Sequence, residues 1–298
     1  MSIDKSLYIS KNQDEINECF MKACLEGDLN LVKFLSEDPD LPFKGENLTF
    51  QDNIGVKISN VEACIGNNLD VLKYLFSLDE NKRSSYLENR SATALSVAAA
   101  YGHLDIVSFI LTDNDLEYVD LERNSNAFVS ACGSNQLEIV KYLLLSPELK
   151  IHIPFEHYIL GFEKACENNH VEIVKYLMED LSLPNNIGEF NYKKIMKSIC
   201  ENNCVEVLDY LLKHTYLKEN IDMSEYFINI VIALNQRENH NILQYMIFEE
   251  NLRITPGIEI ALKEHEDIKS WFKSRDLINE LNNEIHTNPL TKKQKIKI

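Results

Sequence analysis

The chain has 298 residues, 26% charged and 45% hydrophobic, the balance of a folded globular protein, which excludes disordered and collagen-like chemistry. Thirty Lys+Arg against 47 Asp+Glu leave a net charge of −17, so a nucleic-acid groove would work against phosphate repulsion and nucleic acid is not an expected partner. With only 9 glycines and 7 prolines, folds built on Gly-rich phosphate loops or many tight hairpins are disfavoured.

Residues 1–13 form an N-terminal segment, and Met1 to Asn12 lack the charged-then-apolar pattern of a secretory leader. No apolar run reaches 18 residues, so no membrane span is expected. Seven cysteines are an odd count for a disulfide framework, and a chain of this length builds a core without staples. The natural compartment is therefore reducing. That is the cytoplasm of the producing cell, or of a host cell into which the protein is delivered.

From residue 14 onward one phrase returns: a small pair, a short polar gap, then a run reading apolar-acid-Ile-Val-Lys-Tyr-Leu. The pair is Ala23-Cys24, Ala63-Cys64, Ala98-Ala99, Ala131-Cys132, Ala165-Cys166 and Ile199-Cys200. Measured at the branched residue of each run, positions 31, 71, 106, 139, 173, 207, 242 and 268 lie 40, 35, 33, 34, 34, 35 and 26 apart. Each run predicts an amphipathic helix, with Val171, Val174 and Leu177 on one face beside Ile173 and Tyr176. The small pair predicts a preceding helix whose axis approaches its neighbour closely. One such unit cannot bury its own apolar face, whereas a stack buries a continuous core.

Thr93-Ala94-Leu95-Ser96 followed by Ala98-Ala99 and Gly102-His103-Leu104-Asp105-Ile106-Val107 resembles the ankyrin repeat family, in which the first tetrapeptide reads Thr-Pro-Leu-His. The resemblance covers roughly residues 14 to 246. It implies an all-α, ankyrin-type helical solenoid of about seven stacked helix-turn-helix repeats, with C-terminal capping helices and little regular strand. The repeats fall near 14–47, 54–86, 90–122, 123–156, 157–190, 191–223 and 224–248, followed by a degenerate repeat and cap helices over 249–288 and a basic, frayed tail over 289–298. The glycine of the helix–helix turn survives as Gly27 and Gly102 and is replaced by Asn67, Asn135, Asn169 and Asn203. That turn needs a left-handed residue, and asparagine is the best substitute for glycine there.

By the same resemblance, partners dock on the concave face made by loop tips and the exposed side of each first helix. In the third repeat this side presents Val97, Ala100 and Tyr101; its equivalents are Glu62 and Ile65, Ser130 and Ser134, and Lys164, Glu167 and Asn168. Further out lie Lys22, Leu25 and Glu26 at one end and Ser198, Glu201 and Asn202 at the other. An aromatic anchor within a polar rim is how interfaces concentrate binding energy, although Ile65 and Val97 can equally serve to pack against their neighbours. His103 and His170 stand where the family uses histidine for structural hydrogen bonding.

The other candidate sites have plainer readings. Cys24, Cys64, Cys132, Cys166 and Cys200 form a ladder, but packed helices lie about 8–10 Å apart, too far for disulfides or zinc. The ladder is expected to be core packing, with no metal and no cofactor. Cys19 and Cys204 fall outside it. His152 to His157 superficially resembles a metalloprotease motif, yet its spacing is wrong and Pro154 would break the helix, so an inter-repeat loop is expected. No phosphate loop, nucleophile elbow or Cys-x-x-Cys pair occurs.

Charge is unevenly spread. Lys82, Arg83 and Arg90 precede the third repeat, whereas Asp113, Asp115, Glu117, Asp120 and Glu122 precede the fourth. Each is a solvated surface or a lure for a charged partner segment. At the far end, Thr255-Pro256 starts a helix, Ile258 to Phe272 and Leu277 to Ile285 are predicted cap helices, and Trp271 is expected to fill their junction. The last ten residues carry four lysines and no acid, leaving −21 on residues 1–288.

The sequence thus predicts a non-enzymatic interaction module or scaffold, monomeric, binding one protein partner and neither nucleic acid nor membrane. Its Asn-, Ile- and Lys-rich wording resembles ankyrin proteins of intracellular bacteria, amoebae and large viruses, which points to a host-directed effector. The alternative is an enzyme whose small catalytic site is grafted on the loops or the C-terminal segment.

Overall fold

The computed structural model describes residues 3–41, 49–52, 55–77, 94–112, 121–145, 153–179, 189–214, 226–228, 240–250, 252–263 and 265–287. The chain divides into two compact units, one of residues 1–165 and 172–183 and the other of 166–171 and 184–298. The basic tail and the charged loop residues 82, 83, 90, 113, 115, 117 and 120 lie outside the described residues.

In the first unit, α1 (Ser6–Ile9) leads into α2 (Gln13–Glu26) and α3 (Leu29–Glu37). Asn12 caps α2 by accepting from the Glu15 amide, while the Glu15 carboxylate accepts from the Asn12 amide, a reciprocal box that satisfies two orphan donors. An antiparallel hairpin follows, β1 (Thr49–Asp52) paired with β2 (Gly55–Ile58). It is the only strand pairing among the described residues, in keeping with the expected scarcity of strand. Then come α4 (Ser59–Ile65), α5 (Leu69–Ser77), α6 (94–101), α7 (Leu104–Thr112), α8 (Leu121–Gly133), α9 (Leu137–Leu145), α10 (Phe155–Glu167) and α11 (Val171–Glu179). A first helix pairs with the second helix that follows it, as α2 does with α3, α4 with α5 and α8 with α9, and α2 also stacks on α4.

The second unit contains α12 (Glu189–Glu201), α13 (Val205–His214), α14 (His240–Phe248), α15 (Pro256–Ala261) and α16 (Glu266–Thr287), while the end of α10 and the start of α11 cross into it. Thr255 caps α15 and Pro256 occupies its first turn, as expected. The predicted cap helices are divided differently. The first of them ends at Ala261 and the second begins at Glu266, and α16 runs unbroken through residues 273–276. Lys269 Nζ donates to the Lys263 carbonyl at 3.1 Å and to Glu266 Oε1 at 2.6 Å, tying the break to the new first turn. Phe272, 1% exposed and edge-on to Phe227 at 5.7 Å, fills the junction; Trp271 remains half-buried. The buried Arg275 donates to the Leu252 carbonyl and covers the Phe272 ring at 5.1 Å.

The core is built from two registers that recur along the chain. Second helices bury three positions at i, i+1 and i+4, for example Ile106, Val107 and Ile110, then Ile139, Val140 and Leu143, then Ile173, Val174 and Leu177. This corrects the predicted stripe: Val171 is only half-buried, because at 100° per residue it lies well off the arc shared by the other three. First helices bury the small pair, and Cys24, Cys64, Cys132, Cys166 and Cys200 are all at most 2% exposed.

The helix–helix turns are left-handed as the sequence requires. Gly27 and Gly102 have φ of 79° and 81°, and Asn67, Asn135, Asn169 and Asn203 have φ between 57° and 62°. In the second unit the asparagine does more than a glycine could. Asn169 Oδ1 accepts from the Val207 amide at 3.2 Å and Asn203 Oδ1 from the Ile242 amide at 3.0 Å, so each turn caps an orphan donor in the first turn of the next second helix. Asn203→Ala should therefore cost about 2–4 kcal/mol, combining left-handed strain with a stranded amide, whereas Asn203→Gly should cost about 1 kcal/mol. Urea denaturation compares the two, and equal losses would contradict this division of labour.

Outside the core, aromatic residues on successive second helices latch the repeats of the first unit together. Lys33 Nζ sits 5.4 Å from the centre of the Tyr74 ring, and the Tyr74 hydroxyl reaches Ser36 at 2.7 Å and Glu37 at 2.8 Å. Lys73 lies 5.5 Å from the Phe109 ring, and Tyr142 donates to Ser108 Oγ at 3.0 Å.

Candidate functional site

The first helices of the first unit end in carbonyls with no partner inside the helix, and such groups must be satisfied from elsewhere. The residue that enters the second helix of the next repeat supplies the donor. Asn68 Nδ2 donates to the Cys24 and Leu25 carbonyls, both at 2.8 Å. His103 Nε2 lies 3.3 Å from the Ile65 carbonyl, and Gln136 Nε2 donates to the Ala100 carbonyl at 3.1 Å. Because a carbonyl only accepts, His103 carries its proton on Nε2. In the second unit Cys204 Sγ performs the same task for the Glu167 carbonyl at 3.3 Å. Asparagine, histidine, glutamine and cysteine thus do one job at one position, and the structural role expected of His103 is the one it plays.

This ladder fixes the ends of the first helices, which is where the candidate binding residues sit. Glu62 and Ile65 are on α4, both half-buried. Val97, Ala100 and Tyr101 are on α6; Val97 and Ala100 are half-buried, whereas Tyr101 is 56% exposed. Its ring stacks 6.0 Å from the His103 ring, and that imidazole is held in turn by Ile65. Tyr101 is therefore an exposed aromatic side chain beside a ring fixed by a hydrogen bond, lying next to the end of α4. Ser130 on α8 is half-buried and Ser134, just beyond that helix, is exposed. Lys164 is half-buried on α10, and Glu167 and Asn168 fall in the second unit.

At the N-terminal end, Leu25 adds an apolar side chain that is 38% exposed, next to the exposed pair Lys22 and Glu26, 3.6 Å apart. Sequence reasoning did not select Leu104, 39% exposed at the start of α7. Its signal was weak, because the same position in other repeats holds a half-buried leucine, as at Leu29, Leu69 and Leu137.

The expected inter-repeat loop at 152–157 is corrected. Pro154 immediately precedes α10, its carbonyl accepting from the His157 and Tyr158 amides at 3.0 and 3.1 Å, so the proline starts the helix instead of breaking one. Residue 152 lies outside the described residues. Among the described residues, no group of three or more His, Cys, Asp or Glu side chains is arranged to hold a metal ion. Asp4, Asp38, Asp209 and Glu266 are all held below the usual carboxylate range, by hydrogen bonds from Ser6, Lys5, Lys213 and Lys269 respectively. That is hydrogen-bond chemistry at Asp4 and ion-pair chemistry at the other three, and none of the four is the raised carboxyl of a general acid.

All seven cysteines are free thiols. Burial pushes Cys24 and Cys64 up to about 12 and Cys204 up to about 11, and drives Cys132 and Cys200 upward as well. At pH 8 these thiols hold almost no thiolate, the reactive form. A disulfide reagent should therefore label the partly exposed Cys19 in the native protein and reach the ladder only on unfolding. Fast labelling of ladder cysteines before unfolding would contradict the burial described.

Residues 61–154 match the family model of ankyrin repeats in three copies. No curated protein matches the chain. No described helix is long and apolar enough to cross a membrane.

Proposed function

From a chain whose residues 61–154 are ankyrin repeats, units that generally mediate protein–protein interaction, we propose a non-enzymatic adaptor that binds one protein partner on the first-helix face of its first unit. The observation that carries this reading is Tyr101, 56% exposed yet backed by the His103 ring. A large aromatic side chain in water, already held in one place, gives up little conformational freedom on binding. Leu25 and Ile65 extend the apolar centre towards the N-terminus, and Glu62, Ser130 and Ser134 supply a polar rim. Lys164 continues the set onto α10.

The partner works in the cytoplasm of the producing cell or, for a host-directed effector, in that of a host cell. A reporter fusion distinguishes the two: translocation into a host cell supports the effector role, and its failure places the function in the producing cell. The binding face is tested by affinity capture with the wild-type protein and the Ile65→Asp/Tyr101→Asp variant side by side. A partner retained by the first and lost by the second, with helicity unchanged in both, is the expected result. Equal retention would overturn the placement.

A further inference from the structure

A second recognition feature lies in the second unit, remote in sequence from the face just described. Ile254, Glu259, Ile260, Leu262, Lys263 and one side of α16 enclose a groove of about 500 Å³, a volume typical of sites that take a ligand or a bulky side chain. The α16 side is Lys269, Phe272, Lys273 and Asp276, the i, i+3, i+4 and i+7 pattern of one helix face. The floor is apolar: Leu262 and Phe272 are each 1% exposed. The rim is apolar too, with Ile260 65% and Ile254 48% exposed, and Leu277 and Leu281 continue along α16 from Lys273 at spacings of four, 58% and 49% exposed.

Charge decides what fits. Three lysines line the groove against two acids in a chain of net −17, so the groove is richer in cations than the chain as a whole. Lys269 is engaged by Glu266, whose carboxylate also feels the charge of Lys273, while among the described residues neither Lys263 nor Lys273 has a carboxylate in direct ion-pair contact. Two ammonium groups are thus available at the edge of an apolar trough. A nucleotide is a poor occupant, because Phe272 is buried with Arg275 over its ring and offers no face for a base. A long alkyl chain needs enclosure, and a trough whose isoleucine rim stays this exposed does not provide it.

We infer that this groove docks an extended acidic peptide segment of another protein, anchored by one or two bulky apolar side chains and flanked by carboxylates that meet Lys263 and Lys273. The groove shares no residue with the Tyr101 face, so either reading can fail without the other.

Selection of random nonapeptides on the full-length protein tests it, with counter-selection on the Ile260→Asp/Lys273→Glu variant. Both substituted side chains are exposed, so the variant should fold, and circular dichroism checks this. The expected outcome is enrichment of peptides carrying leucine or phenylalanine between aspartates and glutamates. A fluorescein-labelled representative should bind at least about tenfold more weakly to Ile260→Asp, the loss of an apolar anchor's pocket. Its binding should also weaken with rising salt. Lack of enrichment, enrichment of basic peptides, or peptides that bind the variant equally well would overturn the proposal. So would saturable retention of oleate without peptide enrichment, which would assign the groove to a lipid anion instead.

Discussion

Gly161→Ala should destabilise the protein by about 1–3 kcal/mol, although alanine is the better helix former by about 1 kcal/mol. Gly161 lies inside α10 and is buried; a Cβ there would sit 2.5 Å from Phe128 Cε1 and 3.1 Å from Cys132 Sγ. The Phe128 ring cannot retreat, since it is fully buried and packs against Tyr158 at a centroid distance of 5.4 Å. Overpacking therefore wins over propensity. The same contact predicts a rescue: in a Phe128→Leu background, where the ring edge is gone, Gly161→Ala should become neutral or stabilising. Phe128→Ala alone should cost about 3–5 kcal/mol. A double-mutant cycle by urea denaturation reads the coupling, and additive effects of Gly161→Ala and Phe128→Leu would show that the ring is not what glycine makes room for.

The sequence made much of this frame legible, and the reasons are physical. A left-handed turn admits few residue types, so the alternation of Gly27 and Gly102 with four asparagines could be read as one conformation, and all six have positive φ. The cysteine ladder was legible because helix spacing forbids cross-linking, and every thiol is free. The hydrogen-bonding ladder was not. Asn68, Gln136 and Cys204 share no chemistry that a linear reading would group with His103, and only their common approach to the preceding repeat's carbonyls reveals the task. The start of α10 was misread because Pro154 looks like a breaker until its carbonyl is seen capping two amides. The C-terminal break was misplaced because apolar periodicity runs on past residue 262, while the interruption is marked only by the Lys269 contacts.

The candidate face was legible as positions, not as exposures. Sequence register puts Val97, Ala100 and Tyr101 on one helix, but only packing separates the half-buried Val97 from the exposed Tyr101. That difference sets the expected energetics. Val97 contributes shape, and Tyr101 has apolar area still to bury against a partner. Buried aromatic anchors are the residues whose loss costs about 2 kcal/mol or more at interfaces. Placing a carboxylate at Tyr101 or Ile65 removes apolar contact and forces a charge into the contact zone, so the two effects add in the same direction.

Calorimetric titration of the captured partner against wild type, Tyr101→Asp, Ile65→Asp and the exposed α3 control Asn30→Ser tests the binding face most directly. Tyr101→Asp should weaken binding by about thirtyfold or more, Ile65→Asp should weaken it as well, and the control should match wild type. Wild-type affinity in both aspartate variants, with their helical circular dichroism intact, would contradict it.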